Sequence, residues 1–386
     1  MPGYELFDEN ESNAVAEIFT KQNGVLFAHG FDSLRNGSFK VREYEKKFAD
    51  KLGFKYGQAV SSGTAALKIG LQSLGIKPGD EVITQCHTFV ATVEAILSVG
   101  AIPKIINIDK SLNMDSNDLE KNISRKTKAI IPVHMLGEMS NMEDISLIAQ
   151  KNHIPVLEDC SQALGASINN KIAGSYSDIA AYSTDAGKTI NTGEGGMLLT
   201  NSRKIYELAR SYHDHGHKYV ENLPRGRDLA NVIGFNYRMT ELQAAIGIVQ
   251  LSKLELILES QRKNKLRFIS NLEDFDLEYR TSFCKSGDIS DTIVFFADSE
   301  IHANKIVANL QRQNIGTKNL PDALNWHFSL NWQHLFKNNR AYMKHARKIR
   351  DSEKLLKRSI ALPVNINLSI ERIDQISEII SNSIRV

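Results

Sequence analysis

The sequence predicts an α/β protein: a large, mainly parallel sheet domain over residues 1–250, then a smaller α+β domain over residues 251–386. Three observations carry this. Between about Tyr56 and Thr200, seven short apolar runs alternate with helical segments, the rhythm of a sheet threaded by crossover helices. The runs are apolar throughout, as in Ala129-Ile130-Ile131-Pro132-Val133, because a parallel sheet is covered on both faces. After Met239, a helical pattern through Leu242, Ala245, Ile246, Ile248, Val249, Leu251 and Leu254 is long enough to lead from one domain into the next.

In chain order the runs are 57–61, 81–84, 102–108, 128–134, 155–158, 179–182 and 196–200, a seven-stranded pattern. Several end in polar residues, such as Ser61-Ser62-Gly63-Thr64 and Glu158-Asp159, and ligands of open α/β sheets collect at those strand ends. Beyond residue 250, strand-like stretches at 292–297 and 359–363 mix with helices at about 301–314 and 370–381, which gives the α+β reading. The N-terminal segment is expected to pack on this smaller domain. Repeats and low-complexity segments are absent.

The 386 residues, 42% apolar, can bury a sizeable core. Forty-seven basic against 45 acidic residues leave +2, so the charge does not point to nucleic acid as a partner. The basic cluster from Lys344 to Arg350 reads as one solvated helix face. Cys86, Cys160 and Cys284 are odd in number and far apart, which fits a reducing, cytoplasmic location and no metal site. Met1 to Asn10 is polar and acidic, and no window approaches a membrane span, so neither secretion nor membrane insertion is expected.

Three segments carry chemistry. In Val60-Ser61-Ser62-Gly63-Thr64-Ala65-Ala66-Leu67 a strand meets a glycine turn and a helix start, where free N–H groups favour a phosphate and the Ser62 and Thr64 hydroxyls add donors; a plain helix cap is the alternative. In Val156-Leu157-Glu158-Asp159 a buried-looking strand ends in carboxylates, and Asp159 suits a protonated pyridine nitrogen or, alternatively, a cap. In the segment from Tyr182 to Gly196, Lys188 stands among small, hydroxylic and glycine residues that can crowd a cofactor, and lysine forms imines with aldehydes. Each has a bland reading alone. Together, on successive strand ends, they are the parts of a pyridoxal 5′-phosphate site.

With these residues in place, the chain resembles the DegT/DnrJ/EryC1/StrS family of sugar aminotransferases along nearly its whole length. The resemblance adds Thr88-Phe89-Val90-Ala91-Thr92, Glu158-Asp159 through Gln162, Gly187-Lys188-Thr189 with Thr192-Gly193-Glu194-Gly195-Gly196, and Phe235-Asn236-Tyr237-Arg238-Met239. It implies the aspartate-aminotransferase-like fold type I and a homodimer with a shared site. It further implies that Gly63, Thr64 and Ser183 hold the cofactor phosphate, Phe89 stacks on the ring, Asp159 pairs with its nitrogen, and Gln162 lies against its phenolic oxygen. Asn236 would reach the phosphate of the neighbouring subunit. Core packing is the alternative for Phe89.

Family members with histidine in place of the lysine are dehydratases. Lys188 therefore favours transamination, with glutamate as the expected donor and a sugar as acceptor, over lyase chemistry or a non-catalytic regulatory role. Thr184-Asp185-Ala186, where relatives often carry aromatic or prolyl residues, departs from the pattern.

Substrate contacts are expected from two loops. His213-Asp214-His215-Gly216-His217 reads as a polar loop rather than a metal site, with His215 and His217 donating to the substrate, and Arg225 and Arg227 as a clamp on its acid group. The stretch from Leu320 to Phe328 supplies Trp326 and His327 as a wall for the sugar, unless its aromatic residues close the core. These loops, with the segment from Met1 to Phe7 and Gly30-Phe31-Asp32, are similar to the 8-amino-3,8-dideoxy-octulosonate transaminase branch. That similarity implies amination of the C8 aldehyde of an oxidised octulosonate in lipopolysaccharide biosynthesis, in place of the more usual nucleotide-linked keto-hexose.

Overall fold

The computed structural model describes residues 4–220, 223–336 and 349–384. Most of the basic cluster from Lys344 to Arg350, and the first three residues, lie outside the described residues.

Seven strands form the large sheet: β1 (Tyr56–Val60), β2 (Glu81–Gln85), β3 (Ile102–Ile106), β4 (Thr127–Ile131), β5 (Leu157–Asp159), β6 (Ile179–Ser183) and β7 (Gly196–Thr200). Their order is β3-β2-β4-β5-β6-β7-β1, with β4 and β5 joined by the parallel bridges Ile130↔Val156 and Val133↔Asp159. Strand β7 runs antiparallel to both its neighbours, while β2–β3, β2–β4 and β5–β6 pair in parallel. The reason lies in the β6–β7 link. Instead of a crossover helix it is a loop closed on itself by Thr184 N–H to Gly195 O (2.9 Å) and Ala186 N–H to Gly193 O (3.0 Å), which returns the chain antiparallel.

Alternate strand residues enter different cores. Ile130, Ala180 and Tyr182 join one cluster with Tyr44 and Phe48; Ile131, Ile179 and Ala181 join another with Leu67 and Ile69. Both faces are thus covered, as the unbroken apolar runs require. The covering helices include α1 (Glu9–Lys21), α2 (Lys40–Leu52), α3 (Gly63–Ser73), α4 (Val90–Ser98), α5 (Ser116–Asn122), α6 (Met142–Lys151) and α7 (Arg203–Tyr212).

The expected long connector is two helices, α8 (Glu241–Ser252) and α9 (Leu254–Asn271). At the joint, Lys253 N–H turns to Gln250 O (3.1 Å) and its Nζ is pinned to Leu6 O (2.6 Å) and Glu11 (2.7 Å). Behind α9 stands a three-stranded antiparallel sheet of β8 (Glu278–Tyr279), β9 (Thr292–Phe296) and β10 (Ser359–Pro363). Helices α10 (Glu300–Arg312), α11 (Arg350–Lys357) and α12 (Ile370–Ile384) complete this part. A third core gathers Phe268, Phe295, Leu310, Ile360 and Ile376. Glu5 accepts from the Ile366 and Asn367 N–H groups (2.8 and 3.0 Å), so the N-terminal segment touches this part.

One stretch crosses back. Phe328, Trp332 and Phe336 pack into the large-sheet core, and Thr88 N–H donates to His327 O (3.1 Å). This return places residues 318–327 over the carboxyl ends of the strands.

Candidate active site

At the end of β1, Ser62 caps α3 by accepting from Ala65 N–H at 3.1 Å, a role that leaves its O–H free to donate. The Gly63 and Thr64 N–H groups, in the first turn of α3, precede any intrahelical bond and point out of the helix start. A Cβ on Gly63 would stand 2.7 Å from Ser183 Cβ, and one on Gly196 would stand 2.5 Å from Ser62 O. Glycine at both positions lets the helix start lie directly against the end of β6. Gly63, Thr64 and Ser183 are thereby gathered as one cradle.

Strand β5 ends in Asp159, which is buried. Thr92 donates its hydroxyl to Oδ2 (2.9 Å), Ser161 donates its N–H to Oδ1 (3.2 Å), and Thr88 bonds Thr92 (2.7 Å). Among the described residues no cation pairs with this carboxylate, and the groups that donate to it are neutral. Gln162 accepts at Oε1 from Leu136 N–H (3.1 Å) and Asn319 Nδ2 (3.3 Å), which leaves its NH2 as the donating end. The neighbouring Glu158 has a structural role. It accepts from Gly174 N–H (2.8 Å), Tyr176 N–H (3.0 Å) and His134 Nε2 (2.8 Å), while His134 Nδ1 accepts from Ser140 N–H, so the ring is the Nε2–H tautomer.

Lys188 sits in the β6–β7 loop with its side chain 14% exposed and Nζ 3.6 Å from Asp185 Oδ2. Asp185 also accepts from Ser183 Oγ (3.1 Å), so the departure from the usual pattern joins the cradle to the lysine. From the other side comes Lys318, bonded to Asp291 and to Thr292 Oγ1 (2.8 Å). Burial pulls its ammonium below the ordinary lysine value against the pull of Asp291, and the charge of Lys188 adds to the effect.

Phe89 is 42% exposed for a residue at a helix start, and it meets His327 (5.4 Å between ring centres) and Trp326 (6.4 Å, stacked). His327 donates from Nδ1 to Ala323 O (3.0 Å), and burial pulls its pKa down to about 4, so the ring is neutral. Trp332, by contrast, closes the core with Nε1 on Asn325 O.

The profile of the DegT/DnrJ/EryC1/StrS aminotransferase family matches residues 22–381. The chain belongs to this family. Curated relatives include GDP-perosamine synthase of Escherichia coli O157:H7, 39% identical over 58% of this chain and 60% of that protein. GDP-perosamine synthase of Vibrio cholerae is 30% identical over 72% of this chain and 75% of that protein. The matched stretch thus spans less than two thirds of the first relative's length. A solved GDP-4-keto-6-deoxymannose-3-dehydratase with a trapped PLP-glutamate geminal diamine superposes with a TM-score of 0.82 at 25% identity, over 97% of this chain and 98% of that one. The fold is therefore the family's type I architecture.

The residues present fit the family's cofactor: a cradle only glycine permits, a buried carboxylate with no cation partner among the described residues, and a largely buried primary amine stand at or just after the ends of β1, β5 and β6.

The second loop group joins the end of β1, through the Val60↔Arg238 bridge and Ser61 N–H to Tyr237 O (2.8 Å). Asp214 is buried and bonded by Arg225, Arg238 and Tyr219. Burial would raise its carboxyl, but hydrogen bonds from Arg225 and Tyr219 outweigh that and hold it well below the carboxylate range. Arg225 is therefore a clamp on an internal carboxylate, which corrects its reading as a free substrate clamp. His217 faces Asp228 (3.3 Å), while His215 takes a left-handed backbone and donates its N–H to Phe235 O. Arg227 and Asn236 are exposed, and Asn236 Oδ1 meets Arg238 N–H (3.4 Å). Sequence reading missed Thr92, Lys318 and Asn319. The hydroxyl spacing in Thr88-Phe89-Val90-Ala91-Thr92, one helical turn, was the available signal for Thr92.

Proposed function

We propose that the chain is a pyridoxal-phosphate-dependent aminotransferase that moves an amino group from an amino acid, glutamate, to the carbonyl of a sugar. The observation that carries this reading is Asp159, a buried carboxylate met by neutral donors alone, at the strand end beside the Lys188 loop. When bound, the cofactor supplies an electron sink for the bonding pair released at the donor's α-carbon. The Gly63 and Thr64 N–H groups and the Ser183 hydroxyl would hold its phosphate, Asp159 would keep the proton on its ring nitrogen, Phe89 would cover a ring face, and Gln162 would donate toward its phenolic oxygen. Lys188 would hold its aldehyde carbon until the donor's amine takes that place, and the lysine amine so released would take the α-proton and return it as general base and acid. The second half-reaction runs the same proton transfer toward the sugar. The lysine separates this reading from dehydration.

The partner is a second copy of the chain. Leu229, Ile233 and Phe235, shortly before Asn236 in the chain, are exposed apolar residues, as are Phe31 and Leu34, and a homodimer that covers them would carry Asn236 toward the other phosphate. No described helix is long and apolar enough to cross a membrane.

The names of the perosamine synthases support a nucleotide-linked keto-deoxyhexose as acceptor. A second reading, the C8 aldehyde of an oxidised 3-deoxy-octulosonate, is favoured by the 318–327 stretch, which brings the Trp326 face beside Phe89 as a wall for a sugar. Incubation with 15N-glutamate and each acceptor, followed by mass spectrometry, separates the two. A labelled amine from one acceptor alone assigns it, and no labelled amine from either contradicts both.

A further inference from the structure

A cavity of about 520 Å3 lies between α9 and the small sheet, outside the pocket of Lys188. Its body is apolar: Leu266 and Ile269, one helical turn apart on α9, meet Ile293 across it, and Leu266 remains 60% exposed. At its floor the Tyr279 hydroxyl is buried, with no hydrogen-bond partner among the described residues, a donor left unpaired at a cost. The two carboxylates in the lining are already matched, Asp288 by Lys265 and Glu138 by Arg280 (3.5 Å). Arg262, which donates to Ser286 O (3.4 Å), and Lys285 are the remaining cations of the lining among the described residues.

A short bonded path leads from this cavity to the cofactor pocket. Arg280, in the cavity wall, donates from Nη1 to Met135 O (3.1 Å) and from Nη2 to Leu136 O. Leu136 has a left-handed backbone (φ 56°), and its N–H donates to Gln162 Oε1. One peptide turn therefore offers its carbonyls to the cavity wall and its N–H to the cofactor pocket. Gly137 is pressed between this wall and Asp291, since a Cβ on it would come 3.3 Å from Asp288 Oδ1 in the lining and 2.7 Å from Asp291 Oδ1. Asp291 is also the partner of Lys318.

We propose that this cavity is a second ligand site for a small amphipathic anion, coupled to the cofactor pocket through Arg280 and the Met135–Gly137 turn. The apolar body lies on Leu266, Ile269 and Ile293, a polar atom accepts from the Tyr279 hydroxyl, and a carboxylate, sulfonate or phosphate group meets Arg262 and Lys285. A ligand that shifts Arg280 moves the carbonyls it holds, and with them the Gln162 amide.

The probe is 1-anilinonaphthalene-8-sulfonate, titrated by fluorescence into the pyridoxal-phosphate-loaded protein. The site predicts saturable binding that weakens by about tenfold or more in Arg262→Glu/Lys285→Glu and in Leu266→Asp, with sedimentation and the cofactor's absorbance unchanged. Coupling predicts that saturating dye changes the pyridoxal phosphate Kd, and that the cofactor changes the dye Kd by the same factor. Dye binding that is absent, or equal in the parent and both variants, overturns the site. Variants that change sedimentation instead assign the face to another copy of the chain and also overturn it. Dye bound at the site with no change in cofactor affinity overturns the coupling.

Discussion

Gly63 shows how one missing atom builds the phosphate cradle. Its Cβ would stand 2.7 Å from Ser183 Cβ, so Gly63→Ala must push α3 away from β6. The expected cost is ~1–3 kcal/mol, read as a pyridoxal phosphate Kd weaker by about five- to 150-fold in a fluorescence titration; an unchanged Kd contradicts the cradle. Asp159→Asn removes the charge that holds a ring proton, and kcat should fall by the equivalent of about 1.5–3 kcal/mol while the fold and its melting point persist. Gly63, Asp159 and Lys188 were legible in the sequence because each sits in a local pattern whose meaning survives without tertiary context. Lys318 and Asn319 were not, since they reach the site only when residues 318–327 fold back over it. Arg225 was misread for a related reason: its partner Asp214 is eleven residues away across a loop, and a sequence does not show which carboxylate an arginine will meet.

At the scale of elements, apolar runs and helical periodicity located the strands, but direction and continuity depended on bonds outside the patterns. β7 runs antiparallel because the loop carrying Lys188 closes through its own backbone. The helix after Met239 breaks at Lys253 with no proline or glycine to mark it, since the cause is the pull of Leu6 O, Asp8 and Glu11 on one ammonium. Lys253→Met would leave Glu11 buried with only Gln250 and backbone donors, so urea denaturation should show a loss of about 3 kcal/mol. A loss below measurement error would show that the joint is set by packing instead.

For the whole molecule, four histidines set the acid response: buried His87, His213 and His327, and half-buried His29. Burial holds His29 and His87 at about 3, and His213 and His327 at about 4, against an ordinary 6.5. The unfolded chain binds these protons first, so stability should be full above about pH 6.5 and fall as the pH drops toward 4, by up to roughly 1.4 kcal/mol per pH unit for each group. Glu45, raised to about 7 by burial, works the other way between its ordinary 4.5 and 7, as the folded state holds its proton there. Melting temperatures between pH 4 and 7 check the balance, and a flat profile would contradict it. The central claim, that Lys188 and Asp159 make a transaminase site, is tested most directly by an absorbance spectrum of the protein with pyridoxal phosphate, recorded before and after glutamate. A visible band that glutamate converts to a near-ultraviolet one, and that Lys188→Ala lacks, is the predicted result. No visible band in the parent protein, or the same band in Lys188→Ala, would contradict it.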